Sequence, residues 1–373
     1  MRPFQISVPD DVLRDLRERL ERVRLLPDSP RRPDSGLTAA YLAELVESWR
    51  SFDWRGRERW LNEFPQFLAE VDGTQVHYVH RRAEDAGAPA ILLMHGWPHT
   101  FALQLDLVRL LPEFDVVVPS FPGFAFSEPY DGTMTENVMA DLMHGLMTEV
   151  LGYDRYFVYG EDISANVSDL IASEHPENVA GILVTHAHFG TDAERESWDD
   201  PEVSAFFRRL SESGGPDGAY AHVQATRPDT LAAALNDSPV GLLAWIVEKL
   251  VEWSDTPADD PAGVERLISR DRILTEATIY WVTQTIASSF RPYFDHGADA
   301  AIAPVEVPAV VAIQRHEHDY PEVLARAFYR DLRSFERLER GGHFAAAEVP
   351  SAIAERVRTL AAETRSPAVS RIR

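Results

Sequence analysis

The sequence predicts an α/β protein: a mostly parallel central sheet flanked by helices, with a helical lid inserted and a helical or meandering segment at the N-terminus. Three observations carry this. Short, almost wholly apolar runs such as Ala90-Ile-Leu-Leu-Met and Asp115-Val-Val-Val-Pro suit strands buried on both faces of a parallel sheet. Helical stretches separate these runs, giving repeated strand–helix–strand units with right-handed crossovers. From Thr191 to about His296 the strand signal lapses and Trp-bearing helical segments take over, until Val307-Pro-Ala-Val-Val-Ala-Ile restores it.

At the N-terminus, Asp10 stands where a helix cap belongs, ahead of Val12, Leu13, Leu16, Leu20 and Val23 at three- and four-residue steps. Leu37 to Phe67 reads as further helix, so that roughly seventy residues precede any strand pattern. Asp72-Gly73 between extended runs is a hairpin signal and marks the first antiparallel strands. Val138 to Leu151 is helical, Arg155 to Gly160 extended, Ser164 opens another helix, and Val179-Ala-Gly-Ile-Leu-Val is a further strand. The expected divisions are an N-terminal segment at 1–69, core at 70–190, lid at 191–299 and core again at 300–373.

One core with inserted elements can occupy 373 residues, and 45% hydrophobic with 26% charged residues is the balance of a chain that buries it. A formal charge of −24 repels phosphate backbones and anionic lipid, so neither nucleic acid nor a membrane surface is an expected partner. Without cysteine there is no disulfide, thiolate metal site or thiol nucleophile, and any nucleophile is oxygen-based. The first 26 residues are charged and interrupted by proline, with neither a signal-peptide core nor a membrane span. The expectation is a cytoplasmic protein, compatible with a homodimer.

Gly160-Glu-Asp-Ile-Ser closes a strand and opens a helix, the setting of a nucleophile elbow, with Asp162 in the nucleophile's place. Capping of the following helix is the competing role for Asp162. A carboxylate that displaces an oxygen from saturated carbon leaves an alkyl ester, which only activated water clears, so a His and an orienting acid are required. His343, on a glycine-flexed loop in Gly341-Gly-His-Phe, lies where the α/β-hydrolase fold puts its base. In His316-Glu-His-Asp, after the preceding strand, Glu317 is the first choice for the acid and Asp319 the reserve; Asp192 is a more distant candidate. His95-Gly-Trp-Pro follows a buried strand, and the amides of Trp97 and Ile163 are the candidate oxyanion donors. Pro98 favours a cis bond. His186-x-His188 with the His316–Asp319 cluster can be imagined as a metal site, although neither has a fuller ligand motif and such histidines also line cavities.

Three longer runs carry more specific information: Gln224 to Lys249, Ile279 to Ser289, and Glu339-Arg-Gly-Gly-His-Phe-Ala-Ala-Ala-Glu. Through these runs and the elbow, the chain resembles the microsomal-type epoxide hydrolases, N-terminal domain included, over nearly its full length. The resemblance implies Asp162 as nucleophile, Glu317 as acid and His343 as base, with Tyr220 and Tyr293 as the lid tyrosines that hold and protonate the epoxide oxygen. It implies a small-molecule epoxide substrate and neither metal nor organic cofactor. Ile163-Ser164 replaces the family's usual Trp-Gly, which reshapes the wall beside Asp162. The animal enzymes' membrane anchor has no counterpart, as in bacterial members. An aromatic-rich lid favours a bulky or aryl epoxide. Two rivals share the fold: a hydrolytic dehalogenase, which uses the same carboxylate but needs halide-binding donors, and a non-catalytic ligand-binding protein.

Overall fold

The computed structural model describes residues 1–30, 36–190, 195, 197–296 and 301–365. Among them nine strands form one sheet in the order β1-β2-β3-β5-β4-β6-β7-β8-β9. The interior strands β4 (Ala90–Met94), β6 (Tyr156–Gly160) and β7 (Val179–Val184) are buried at every position, which is why their sequences show no polar alternation. Together with β5 (Asp115–Pro119), β8 (Val305–Ile313) and β9 (Tyr329–Arg337) they pair in parallel. On the other side, β1 (Arg2–Phe4), β2 (Gln66–Val71) and β3 (Thr74–Arg81) are antiparallel, with Asp72 and Gly73 both at positive φ in the β2–β3 turn.

Helices α1 (Asp10–Glu21), α2 (Ala39–Arg50) and α3 (Trp54–Leu61) precede the hairpin, and α4 (Phe101–Arg109), α5 (Glu136–Gly145) and α6 (Ile163–Glu174) connect the parallel strands. Between β7 and β8 lies the lid: α7 (Pro201–Asp217), α8 (Ala219–Thr226), α9 (Pro228–Asp237), α10 (Pro239–Trp253), α11 (Arg270–Thr283) and α12 (Arg291–Asp295). Then α13 (Glu322–Phe328), α14 (Ala345–Glu348) and α15 (Pro350–Arg365) complete the described chain. No single described helix is long and apolar enough to cross a membrane.

Several expectations need correction. Asp10 is the first residue of α1 rather than its cap; the cap position is Pro9, and the Asp10 carboxylate pairs with Arg55 of α3. The helix expected at Val138–Leu151 starts two residues earlier, because the Thr135 hydroxyl caps it by accepting from Val138 N–H, and it ends in a π turn at Leu146–Val150. Both outer strands of the sheet escaped the sequence reading. Three-residue β1 has no periodicity, and β9 (Tyr-Arg-Asp-Leu-Arg-Ser-Phe-Glu-Arg) carries the charges with which edge strands resist further pairing. The expected break at 69/70 falls inside β2, and β1 places the N-terminal segment within the main sheet.

That segment packs on both sides of the sheet. Ile6, Leu13, Trp54 and Leu61 join the core formed with α4 and α15, whereas Leu20, Leu45 and Trp49 share a core with Leu250, Val251 and Ile273 of the lid. The Trp49 indole also donates to Thr278 Oγ1 at 2.9 Å, and Arg57 Nε to Thr275 Oγ1 at 2.8 Å, fastening α2 and α3 to α11. Trp49→Ala is therefore expected to destabilise the protein by about 3–5 kcal/mol, measured from the urea midpoint; a midpoint within error of the parent would mean that α11 is held from elsewhere.

Candidate active site

Loops leaving the carboxyl ends of β4, β6, β7, β8 and β9 converge where the strand order reverses, the usual location of a site in an open α/β sheet. Asp162 follows β6 with φ 56° and ψ −139°, a conformation that costs a non-glycine residue about 1–3 kcal/mol and must be held by its surroundings. Ser164 is one holder. Its buried hydroxyl accepts from Glu161 N–H at 2.9 Å and lies within hydrogen-bond distance of the carbonyls of Met94 and Glu161. His186, after β7, is another: its Nδ1 accepts from Asp162 N–H at 3.0 Å.

Asp162 occupies the cap position of α6, but its side chain makes no capping bond. Its Oδ1 instead accepts from the amide of Trp97 at 2.9 Å, the Ile163 amide also favours the charged carboxylate, and its Oδ2 lies 3.0 Å from His343 Nε2. Gly96 permits this approach, since a Cβ there would come within 2.2 Å of Asp162 Oδ1. Trp97-Pro98 is the cis bond.

His343 is carried by a loop that the buried Glu348 carboxylate organises. That carboxylate accepts from the amides of Gly342, Phe344 and Asp255 at 2.9, 3.1 and 2.9 Å. The loop then seats against the lid, where His343 N–H donates to the Trp253 carbonyl at 2.8 Å; a Cβ on Gly342 would meet that carbonyl at 2.4 Å. His343 Nδ1 lies 2.9 Å from Glu317 Oε1. Asp319 is elsewhere: its side chain is 81% exposed, with Arg209 and Arg337 each 3.9 Å away. Asp192 lies outside the described residues.

Burial by itself pushes the Asp162 carboxyl up, but the hydrogen bond from His343, the imidazolium charge and the two amides outweigh it and hold the group below its ordinary range. Burial likewise pushes His343 down, and its bonds to Asp162 and Glu317, with their charges, lift it well above an ordinary histidine. Glu317 is held low, against burial, by His186 and His343. The resting state is thus an imidazolium between two carboxylates.

Tyr220 at the start of α8 stacks on the Trp97 ring, with centroids 5.2 Å apart and planes at 8°. Tyr293 of α12 meets Trp97 and Tyr220 edge-on, at 5.8 and 5.7 Å. Burial and the nearby Asp162 charge push both hydroxyls up, so both stay protonated near neutrality. Both tyrosines face a cavity of about 1000 Å³ that also exposes Asp162, Glu317 and His343 and is walled by Ile163, Phe189, Leu210, Val251, Trp253 and Pro292.

Of the imagined metal ligands, His188 stacks on Phe328 with centroids 3.8 Å apart and His316 reaches the Glu252 carbonyl at 3.3 Å. His186 and Glu317 do meet, with His343, but inside a hydrogen-bonded set. Sequence reasoning gave no role to Glu348 or Glu161. Beneath the elbow, Glu161 is fully buried: its Oε1 is met by His99 Nε2 at 2.9 Å and Gln104 Nε2 at 2.8 Å, and its Oε2 accepts from Tyr159 OH at 2.8 Å and Ala346 N–H at 3.0 Å. One carboxylate therefore ties together the loops that carry Trp97, Asp162 and His343. A lone Glu ahead of the nucleophile carries no signal of this, because its partners are remote in sequence.

Comparison with known proteins agrees with this geometry. Residues 1–103 match the family described as epoxide hydrolase N terminus, and residues 89–222 match the alpha/beta hydrolase fold. Epoxide hydrolase 1 of Sus scrofa is 31% identical across 96% of this chain and 88% of its own length. Juvenile hormone epoxide hydrolase 2 of Ctenocephalides felis is 30% identical across 95% of this chain and 84% of its own. Among solved structures, juvenile hormone epoxide hydrolase from the silkworm Bombyx mori gives a TM-score of 0.83 at 27% identity, covering 98% of this chain and 94% of that one. Aspergillus niger epoxide hydrolase gives 0.82 at 26% identity, covering 97% and 96%.

Because Asp162 is one of the two carboxylates that hold the His343 proton, removing its charge must lower the histidine's pKa. In Asp162→Asn the imidazole, followed by its Cε1–H proton resonance, is expected to titrate well below the parent; an unmoved titration would mean that Glu317 holds the proton without help.

Proposed function

Since the chain belongs to the epoxide hydrolase family, we propose that it converts an epoxide to a vicinal diol through an ester on Asp162. The observation that supports this most directly is a carboxylate on a left-handed elbow, with two amides behind it and two protonated phenols across the cavity.

Asp162 Oδ2 attacks one epoxide carbon from the cavity side, while Oδ1, held by the Trp97 amide, becomes the ester carbonyl oxygen. As the carbon–oxygen bond breaks, Tyr220 or Tyr293 gives the leaving oxygen its proton, since a bare alkoxide leaves poorly. Ester formation abolishes the Asp162 charge. His343 thereby loses one of the two groups that keep it protonated, and its proton restores the tyrosine. Charge balances: an ion pair and an epoxide become a neutral ester, a neutral imidazole and a hydroxyl. Neutral His343, its Nδ1–H directed to Glu317, then takes a proton from water at Nε2. The hydroxide formed attacks the Asp162 carbonyl carbon and the amides of Trp97 and Ile163 hold the oxyanion; as it collapses, His343 returns its proton to the oxygen that was Asp162 Oδ2, the diol departs, and the new Asp162 carboxyl group gives its proton to His343. The imidazolium–carboxylate pair is restored.

Volume and lining favour a bulky, largely apolar or aryl epoxide. A cavity of about 1000 Å³ is at the large end for a small-molecule site, and its wall beside Asp162 is the aliphatic Ile163.

A single turnover of styrene oxide in oxygen-18 water, read by mass spectrometry of the Asp162 peptide, tests the route. Label is expected in Asp162 and absent from the diol; label in the diol alone would mean direct attack by water. Tyr220→Phe/Tyr293→Phe is expected to slow ester formation by about 10²–10⁴-fold, with smaller losses for each single change, in rapid-quench kinetics. Equal rates for the double variant and the parent would remove the phenols from the mechanism.

A further inference from the structure

We propose that His186 is a positioning residue that orients the nucleophile and the charge-relay acid together, and that its loss slows ester hydrolysis more than ester formation. The proposal rests on the ester route above.

An amide N–H can only donate, so the 3.0 Å contact from Asp162 N to His186 Nδ1 requires a lone pair on Nδ1. The hydrogen of the neutral ring is then on Nε2. That nitrogen lies 3.2 Å from Glu317 Oε1 and 3.0 Å from His343 Nδ1, while His343 Nδ1 is itself 2.9 Å from the same Oε1. Two ring nitrogens therefore converge on one carboxylate oxygen. The rings cross at 63°, with centroids 4.4 Å apart. His186 is almost fully enclosed, so its ring has little freedom to leave this arrangement.

Each contact has a separate consequence. Through Nδ1 the ring satisfies the backbone amide of a residue in a strained conformation, which helps to keep the Asp162 carboxylate against the Trp97 and Ile163 amides. Through Nε2 it keeps a polar contact 3.2 Å from Glu317 Oε1 that stays in place when His343 changes protonation state. That second contact matters once the ester has formed: Asp162 no longer anchors Nε2 of His343, and Glu317 alone must keep the ring directed at water. A Glu317 carboxylate free to rotate would leave the base misaimed, and misplacement of a reacting group by about 1 Å can cost about 10²-fold.

Two substitutions separate the contacts. His186→Asn keeps an oxygen near the Nδ1 position for the Asp162 amide but is too short to reach Glu317, and His186→Gln extends an amide N–H toward Glu317. Rapid mixing with styrene oxide, quenched and read as the mass of the Asp162 peptide, follows ester formation and decay separately. In His186→Asn the decay rate is expected to fall by up to about 10²-fold, more than the formation rate, so that ester accumulates; His186→Gln is expected to recover most of the decay. Thermal midpoints are compared alongside. If Asn and Gln slow both steps equally, or in proportion to a lowered midpoint, the role is only structural and the proposal fails. His343→Gln serves as the control: ester that accumulates there but not in His186→Asn refutes the proposal alone, whereas no ester in His343→Gln refutes the ester route beneath it.

Discussion

The left-handed backbone of Asp162 is the constraint on which the site depends. A non-glycine residue at φ 56° is there only because neighbouring groups make the relaxed alternatives worse. Ser164 closes the elbow from below, His186 takes its amide, and the amide of Trp97 takes its carboxylate. The result is a carboxylate pushed out of the sheet toward the cavity, already bonded to the donors that would stabilise an oxyanion at the same oxygen. Little reorganisation is left for the reaction itself, which is where fixed dipoles have their largest effect.

Around this elbow Glu161 and Glu348 are buried and Glu317 is half-buried, each made tolerable in a different way. Glu161 is met at both oxygens by side chains and an amide, and so is held ionised below its ordinary range despite burial. Glu317 gains the same outcome from two histidines. Glu348 is bonded by backbone amides and feels the His343 charge only as the smallest of its influences, so burial dominates and lifts it to about 7. The ordering follows the chemistry of the partners: side-chain donors, the His343 imidazolium at Glu317 among them, offset desolvation, and backbone amides do so only in part. Losing one partner of such a group costs far more than a surface pair would, because a buried charge is left behind.

The lid and N-terminal segment extend this rigidity outward. Tyr220 and Tyr293 come from different lid helices, yet both rest on Trp97, so the ring of the oxyanion loop is also the floor on which the proton donors stand. Trp253 closes the other side, its carbonyl holding the His343 amide. Helices α2 and α3 brace α11 from behind, which gives the N-terminal segment a mechanical part in a site to which none of its described residues contributes a side chain.

Periodicity and strand–turn chemistry were enough to read the parallel core, the hairpin at Asp72-Gly73, the helical insertion and the elbow, because each is a local pattern of burial or turn residues. Asp162 and His343 were legible for the same reason: glycines and strand ends mark loops that must bend sharply. Glu317 was the first choice for the acid and the family resemblance pointed the same way, but Asp319 stayed in reserve, since two acids two residues apart look alike until one is turned inward and the other left in water. The charged edge strand β9 hid because an edge need not be apolar. His186, Glu161 and Glu348 have their roles only through partners that lie far away in the chain, such as Ala346 for Glu161 and Asp255 for Glu348. Local sequence determined which elements form and where their loops bend; tertiary packing alone decided which buried polar groups meet, because hydrogen bonding in a dry interior is settled by three-dimensional proximity and not by spacing along the chain.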